Sequence, residues 1–180
     1  MYYNGYSGGD TMRHEGVKRV ALGGLLAAVA VVIMCLGGLI PIATFVCPVL
    51  CILLCGTVYR FCGQRVTWAW YGAVAVLSLL LGPDKEAAAI FCFLGYYPIL
   101  KSLFERTKLR WLFKLLFFNG AITIMYAMLI YVLGMEQIIR EYAQLGMIGL
   151  GVILILGNVT FVLLDRLLTL FSKKGKRYGK

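Results

Sequence analysis

The sequence predicts an all-α integral membrane protein, a bundle of six transmembrane helices with both termini cytosolic. Three observations lead there. Of 180 residues, 61% are apolar and 14% charged, against about 45–50% and about 25% in soluble domains. A core of this size cannot hide that much apolar surface from water. The apolar residues gather in runs near the roughly 20 residues a spanning helix needs. The net charge of +10 is distributed almost entirely to alternate connections.

Six runs are read in order: about Arg19–Leu39, Ile42–Phe61, Val66–Leu81, Ala87–Phe104, Trp111–Leu133 and Gln144–Phe171. Gly37-Gly38 and Pro41 divide the first two, because glycine pairs and proline end helices. The third run is the shortest, and the sixth is long enough to leave the bilayer on the cytosolic side. Residues 1–17, polar and rich in glycine and tyrosine, are expected to form a disordered cytosolic tail. Residues 18–171 form the membrane domain and 172–180 a basic cytosolic tail. No cleavable signal is expected, since the first run exceeds the 7–15 residues of a signal's apolar core.

Charge fixes the orientation. With the N-terminus inside, the cytosolic segments hold Arg13, Lys18 and Arg19; Arg60 and Arg65; Lys101, Arg106, Lys108, Arg110 and Lys114; and Arg166 with the basic residues of the C-terminal tail. That is every one of the 18 basic residues except Lys85 and Arg140, as the positive-inside bias requires. Trp68, Trp70 and Trp111 fall at inner interfaces, where indole rings settle. The basic tails are expected near anionic lipid.

The residues restrict the chemistry. His14 is the sole histidine and lies in the tail, so it brings no triad, zinc site or haem ligand into the bilayer. No phosphate-binding glycine loop is present. No cofactor, metal or enzymatic activity is expected, and no nucleic acid partner. Cys47, Cys51 and Cys55 are spaced four apart, on one helix face. They read either as small apolar residues that let helices approach or as a soft-metal stripe.

Candidate ligand-contacting residues are Tyr96, Tyr97, Asn119 and Asn158 at depth and Asp84, Lys85 and Glu86 in an outer turn. Each has an alternative. A buried Asn also serves helix packing, and an acid at a helix start also serves the helix dipole. Pro48 and Pro98 are expected to kink runs two and four. In run one, Gly23/Ala27 and Gly24/Ala28 are small-residue pairs that let another helix come close. The inner loop Lys101–Lys114 is the best place for a lipid phosphate, although its local sequence offers no acid or nucleophile cluster for a lipid-modifying enzyme.

The opening KRVALGGLLAAVAVVIM, with the six-helix count and the size, resembles the substrate-binding (S) components of energy-coupling-factor transporters. PDKEAAAIFCFLGYYPILKSLFER and FNGAITIMYAML resemble small bacterial membrane proteins loosely associated with that superfamily. The resemblance implies capture of a small micronutrient outside the cell. It also implies docking through the first helix on a coupling membrane protein driven by separate ATPases. The family's docking motif is Ala-xxx-Ala; here glycine replaces its first alanine, at Gly23 or Gly24. A non-transport scaffold or regulatory membrane protein is the alternative.

Overall fold

The structure, a computed structural model, describes residues 7–37, 43–105, 109–131, 134, 151–152 and 154–170. Helices α1 (Ser7–Gly37), α2 (Ala43–Cys62), α3 (Gln64–Leu81), α4 (Lys85–Leu94), α5 (Tyr97–Phe104) and α6 (Arg110–Tyr131) follow one another. A further helix, α7, spans 154–170. Among the described residues the fold is all helical. Three helices are long and apolar enough to cross a membrane: Gly16–Gly37, Ala43–Cys62 and Trp111–Tyr131. They coincide with the first, second and fifth apolar runs, and they make a membrane protein of the chain by length and composition.

The first helix begins earlier than its apolar run, since residues 7–17 of the polar N-terminal segment are helical. Extending an existing helix adds about one hydrogen bond per residue fixed, whereas starting one is costly. A long apolar helix therefore draws the preceding residues into its own conformation. Residues 1–6 and the C-terminal tail 171–180 lie outside the described residues, as does the outer loop around Glu136–Tyr142.

The two prolines act differently. At Pro98 the fourth run breaks. The pyrrolidine ring clashes with the carbonyl four residues back, which is that of Leu94, and α4 stops at Leu94. Gly95 closes that end by donating its N–H to Phe91 O at 2.6 Å, and Ile99 N–H restarts the chain on Tyr96 O at 3.0 Å. The run read as one bent helix is thus two helices, α4 and α5. Pro48, close to the start of α2, leaves that helix continuous.

Gly63 alone joins α2 to α3, with φ of 84°, a region open to glycine and costly for other residues. Thr67 secures the turn, its hydroxyl and its N–H both donating to Gly63 O, at 2.8 and 3.1 Å. The tight reversal packs α3 against α2, and both lie on α1. The core runs along α2, where Cys47, Cys51, Ile52, Cys55, Val58 and Cys62 are buried, and continues into α4 through Ala87, Ala88, Ala89 and Phe91. Small side chains on both sides let the helices come close. The cysteines serve this packing as free thiols. Cys51 Sγ donates to Ala30 O at 3.5 Å and Cys62 Sγ to Arg19 O at 3.2 Å, tying α2 to α1. Among the described residues no three His, Cys, Asp or Glu side chains gather as a metal site would need.

Candidate functional site

The most concentrated chemistry lies where α5, α6 and α7 meet. Tyr97 and Lys101 stand one helical turn apart on α5, so both reach the same neighbour. That neighbour is Asp165 of α7. Tyr97 Oη donates to Asp165 Oδ1 at 2.6 Å, and Lys101 Nζ lies 2.8 Å from the same oxygen. Lys101 Nζ also donates to Asp165 O and to Thr169 Oγ1, each at 2.6 Å. From α6, Lys114 Nζ reaches Asp165 Oδ1 at 3.0 Å and Oδ2 at 2.9 Å.

All three charged residues are buried, at 8% exposure for Lys101, 4% for Lys114 and 3% for Asp165. Tyr97 is fully buried, stacked with Phe104 and Phe117 and edge-on to Phe161 at 4.9 Å between centroids. This aromatic surround lowers the local dielectric and strengthens every contact inside it. Two ammoniums thus share one carboxylate. Glu105 approaches Lys114 only to 3.9 Å, and its side chain is 45% exposed. The Lys114 ammonium also sits over the Trp111 ring, 5.5 Å from its centroid, in cation–π range.

Sequence reasoning placed Tyr97 among the ligand-contacting residues but took Lys101 and Lys114 only as inner-loop charge. Asp165, the acid that both lysines reach, lies near the end of the sixth run. What joins them is pairing across 51 to 68 positions, which no local pattern encodes. One signal was available: Lys101, Lys114 and Asp165 all stand a few residues from the predicted cytosolic ends of their runs. A buried charge must find its opposite, and the buried acid that both lysines share arrives from α7, while Glu105 of the same stretch stays half-exposed.

The other candidate residues are held as follows. Asn119 and Asn158 form a reciprocal pair, each amide donating to the other's oxygen, at 3.1 and 3.2 Å. Each also donates to the carbonyl one turn back, at Leu115 and Leu154. Tyr97 is not in that pair, since its hydroxyl is committed to Asp165. Asn158 also borders a groove with Leu154, Val159, Val162 and Arg166, all of α7. Tyr96 sits in an aromatic row, edge-on to Tyr71 at 5.8 Å and to Phe117 at 5.7 Å. Tyr71 Oη in turn donates to Cys92 O.

In the turn between α3 and α4, Asp84 caps α4, its Oδ1 accepting from Glu86 N and Ala87 N at 3.0 and 3.1 Å. Lys85 Nζ donates to Leu79 O at 2.7 Å and Gly82 O at 3.0 Å, covering the carbonyl end of α3. Glu86 accepts from Tyr126 Oη of α6 at 2.7 Å.

On α1 the two small-residue rows part company. Gly23 is buried, and a Cβ there would touch Val66 Cγ1 of α3 at 3.4 Å; Gly24 has nothing within 4 Å of that position. Ala27 packs partly on the core, whereas Ala28 is exposed. Leu25, Val29, Val32 and Leu36 extend the outward surface. Compared with family models, curated proteins and solved structures, the chain matches none.

Proposed function

We propose that the chain is a six-span protein of the cell membrane, with both termini cytosolic, that acts by docking α1 on a membrane partner. In the form the resemblance implies, it is an S-component-like subunit. It would capture a small micronutrient on the outer side and pass it inward with a coupling protein and ATPases supplied by other chains. The observation that carries this reading is the contrast on α1. Gly23 is used within the chain, while Gly24, the next residue, has nothing among the described residues within 4 Å of where its Cβ would stand. With Ala28 one turn on, it offers a place for close helix approach, where association in lipid rests on van der Waals packing.

A second reading, a non-transport scaffold or regulatory protein, draws on the pairing of the candidate ligand groups. Asn119 and Asn158 satisfy each other, and Asp84, Lys85 and Glu86 each hold a neighbouring element. Docking by α1 is common to both readings.

The test is Gly24→Ile in protein purified gently from its own membranes. Partner recovery is expected to fall roughly tenfold, the loss of about 1.4 kcal/mol of close packing, with thermal stability of the chain unchanged. Equal recovery from wild type and variant would sink the docking reading. Native mass spectrometry of the wild type separates the two forms. A bound small molecule together with coupling and ATPase subunits supports uptake; a partner without any small ligand supports the scaffold.

A further inference from the structure

The cluster on α5, α6 and α7 carries more positive charge than it neutralises. Lys101 places its three protons on Asp165 Oδ1, Asp165 O and Thr169 Oγ1, all within 2.8 Å. Lys114 spends its short contacts on the two oxygens of the same carboxylate. Among the described residues, it is otherwise met by the Trp111 ring and by Glu105, an ion pair at 3.9 Å, beyond hydrogen-bond distance. A half-exposed carboxylate at that range is largely solvated and compensates little. The second positive charge is thus met only by a distant, half-exposed carboxylate, in a site where both lysines are at least nine-tenths buried, and a poorly compensated buried charge is costly.

The surroundings indicate what would complete the site. Trp111, 44% exposed, lies beside the Lys114 ammonium, and indole rings settle at the headgroup level. From there an exposed surface continues as Leu109, just before α6, and Leu112 and Leu116 of α6, each more than 60% exposed, a surface suited to acyl chains. The missing charge is a single negative one, which a phosphodiester carries. We infer that Lys114, the ammonium of the Lys101–Asp165–Lys114 cluster that faces Glu105 and Trp111, is the anchor of a binding site for one phosphate group, reached when Glu105 swings aside. The group comes from an inner-leaflet phospholipid headgroup or from free phosphate. The α6 surface favours the lipid. The inference rests on this cluster and, for the leaflet, on the proposed orientation; it stands whether or not α1 docks on a partner.

Native mass spectrometry in detergent tests it, with added phosphatidylglycerol, phosphatidylcholine or inorganic phosphate. Wild type is expected to retain one phosphatidylglycerol in preference to phosphatidylcholine. Glu105→Gln removes the competing carboxylate and is expected to raise that retention about two- to fivefold, the scale of an exposed ion pair. Lys114→Met is expected to lower it more than about tenfold, as loss of a charge-assisted contact does. A purely structural cluster would respond to Lys114→Met through stability but would give no gain with Glu105→Gln, so the second variant keeps the test open if the first misfolds. Phosphatidylglycerol retention unaffected by millimolar inorganic phosphate identifies the lipid source. Retention of phosphate itself, raised by Glu105→Gln, identifies the free anion. No preference among the three additives together with no response to Glu105→Gln overturns the inference.

Discussion

Asp165 holds more than any other single side chain described. One carboxylate accepts from Tyr97, Lys101 and Lys114, drawn from two other helices. Asp165→Asn keeps the shape and removes the charge, leaving two buried ammoniums facing an amide. Breaking a buried pair costs about 3–5 kcal/mol. The variant is therefore expected to lose a large part of its stability in thermal unfolding in detergent. Lys101→Met in the same background should recover some of it, because replacing a buried charge with an apolar side chain of similar volume removes its desolvation cost. Equal stability of Asp165→Asn and wild type would mean that the contacts contribute nothing net. None of this network was legible in the sequence beyond its members' depth. Tyr97 was assigned to a layer with Asn119 and Asn158, and the two asparagines close on each other instead. Depth along a helix follows from counting residues, but azimuth relative to partners depends on how helices rotate against one another, which counting does not give.

Individual helices were more readable, because length and apolarity are properties of contiguous sequence. The helices at Gly16–Gly37, Ala43–Cys62 and Trp111–Tyr131 follow from runs visible by eye. The break at Gly95–Tyr96 was read as a kink, and it is a full stop. Glycine, a missing N–H and a ring clash act within four residues, and together they exceed what one proline does alone, as α2 with its single Pro48 demonstrates. Asp84 illustrates an element held at its end. It supplies two acceptor contacts to amides that the helix cannot satisfy itself. Asp84→Ala is expected to cost about 1 kcal/mol, as N-cap removals do, read as a lowered unfolding midpoint. If Asp84 instead contacts a ligand, the same substitution would weaken ligand retention by more than its stability cost, so measuring both quantities separates cap from site.

For the whole molecule, orientation is the property that charge controls. Every basic residue but Lys85 and Arg140 belongs to the connections assigned inside, and the rule counts such residues near span ends. Reporter fusions after residues 63, 107 and 180 are expected to report cytosol, and fusions after 83 and 138 the outer side. A reporter active outside after 107 would reverse the topology and move the lysine cluster to the other leaflet. The same cluster sets a condition on how the protein is made. Synthesis runs from the N-terminus, so Lys101 and Lys114 are made before the buried carboxylate that they share. Until α7 arrives, two ammoniums sit in α5 and α6 without their counter-ion, a state that is costly in the hydrocarbon. Completion of the bundle is thereby made chemically conspicuous. A chain interrupted before residue 165 keeps its lysines without that partner and is expected to be less stable than the full chain.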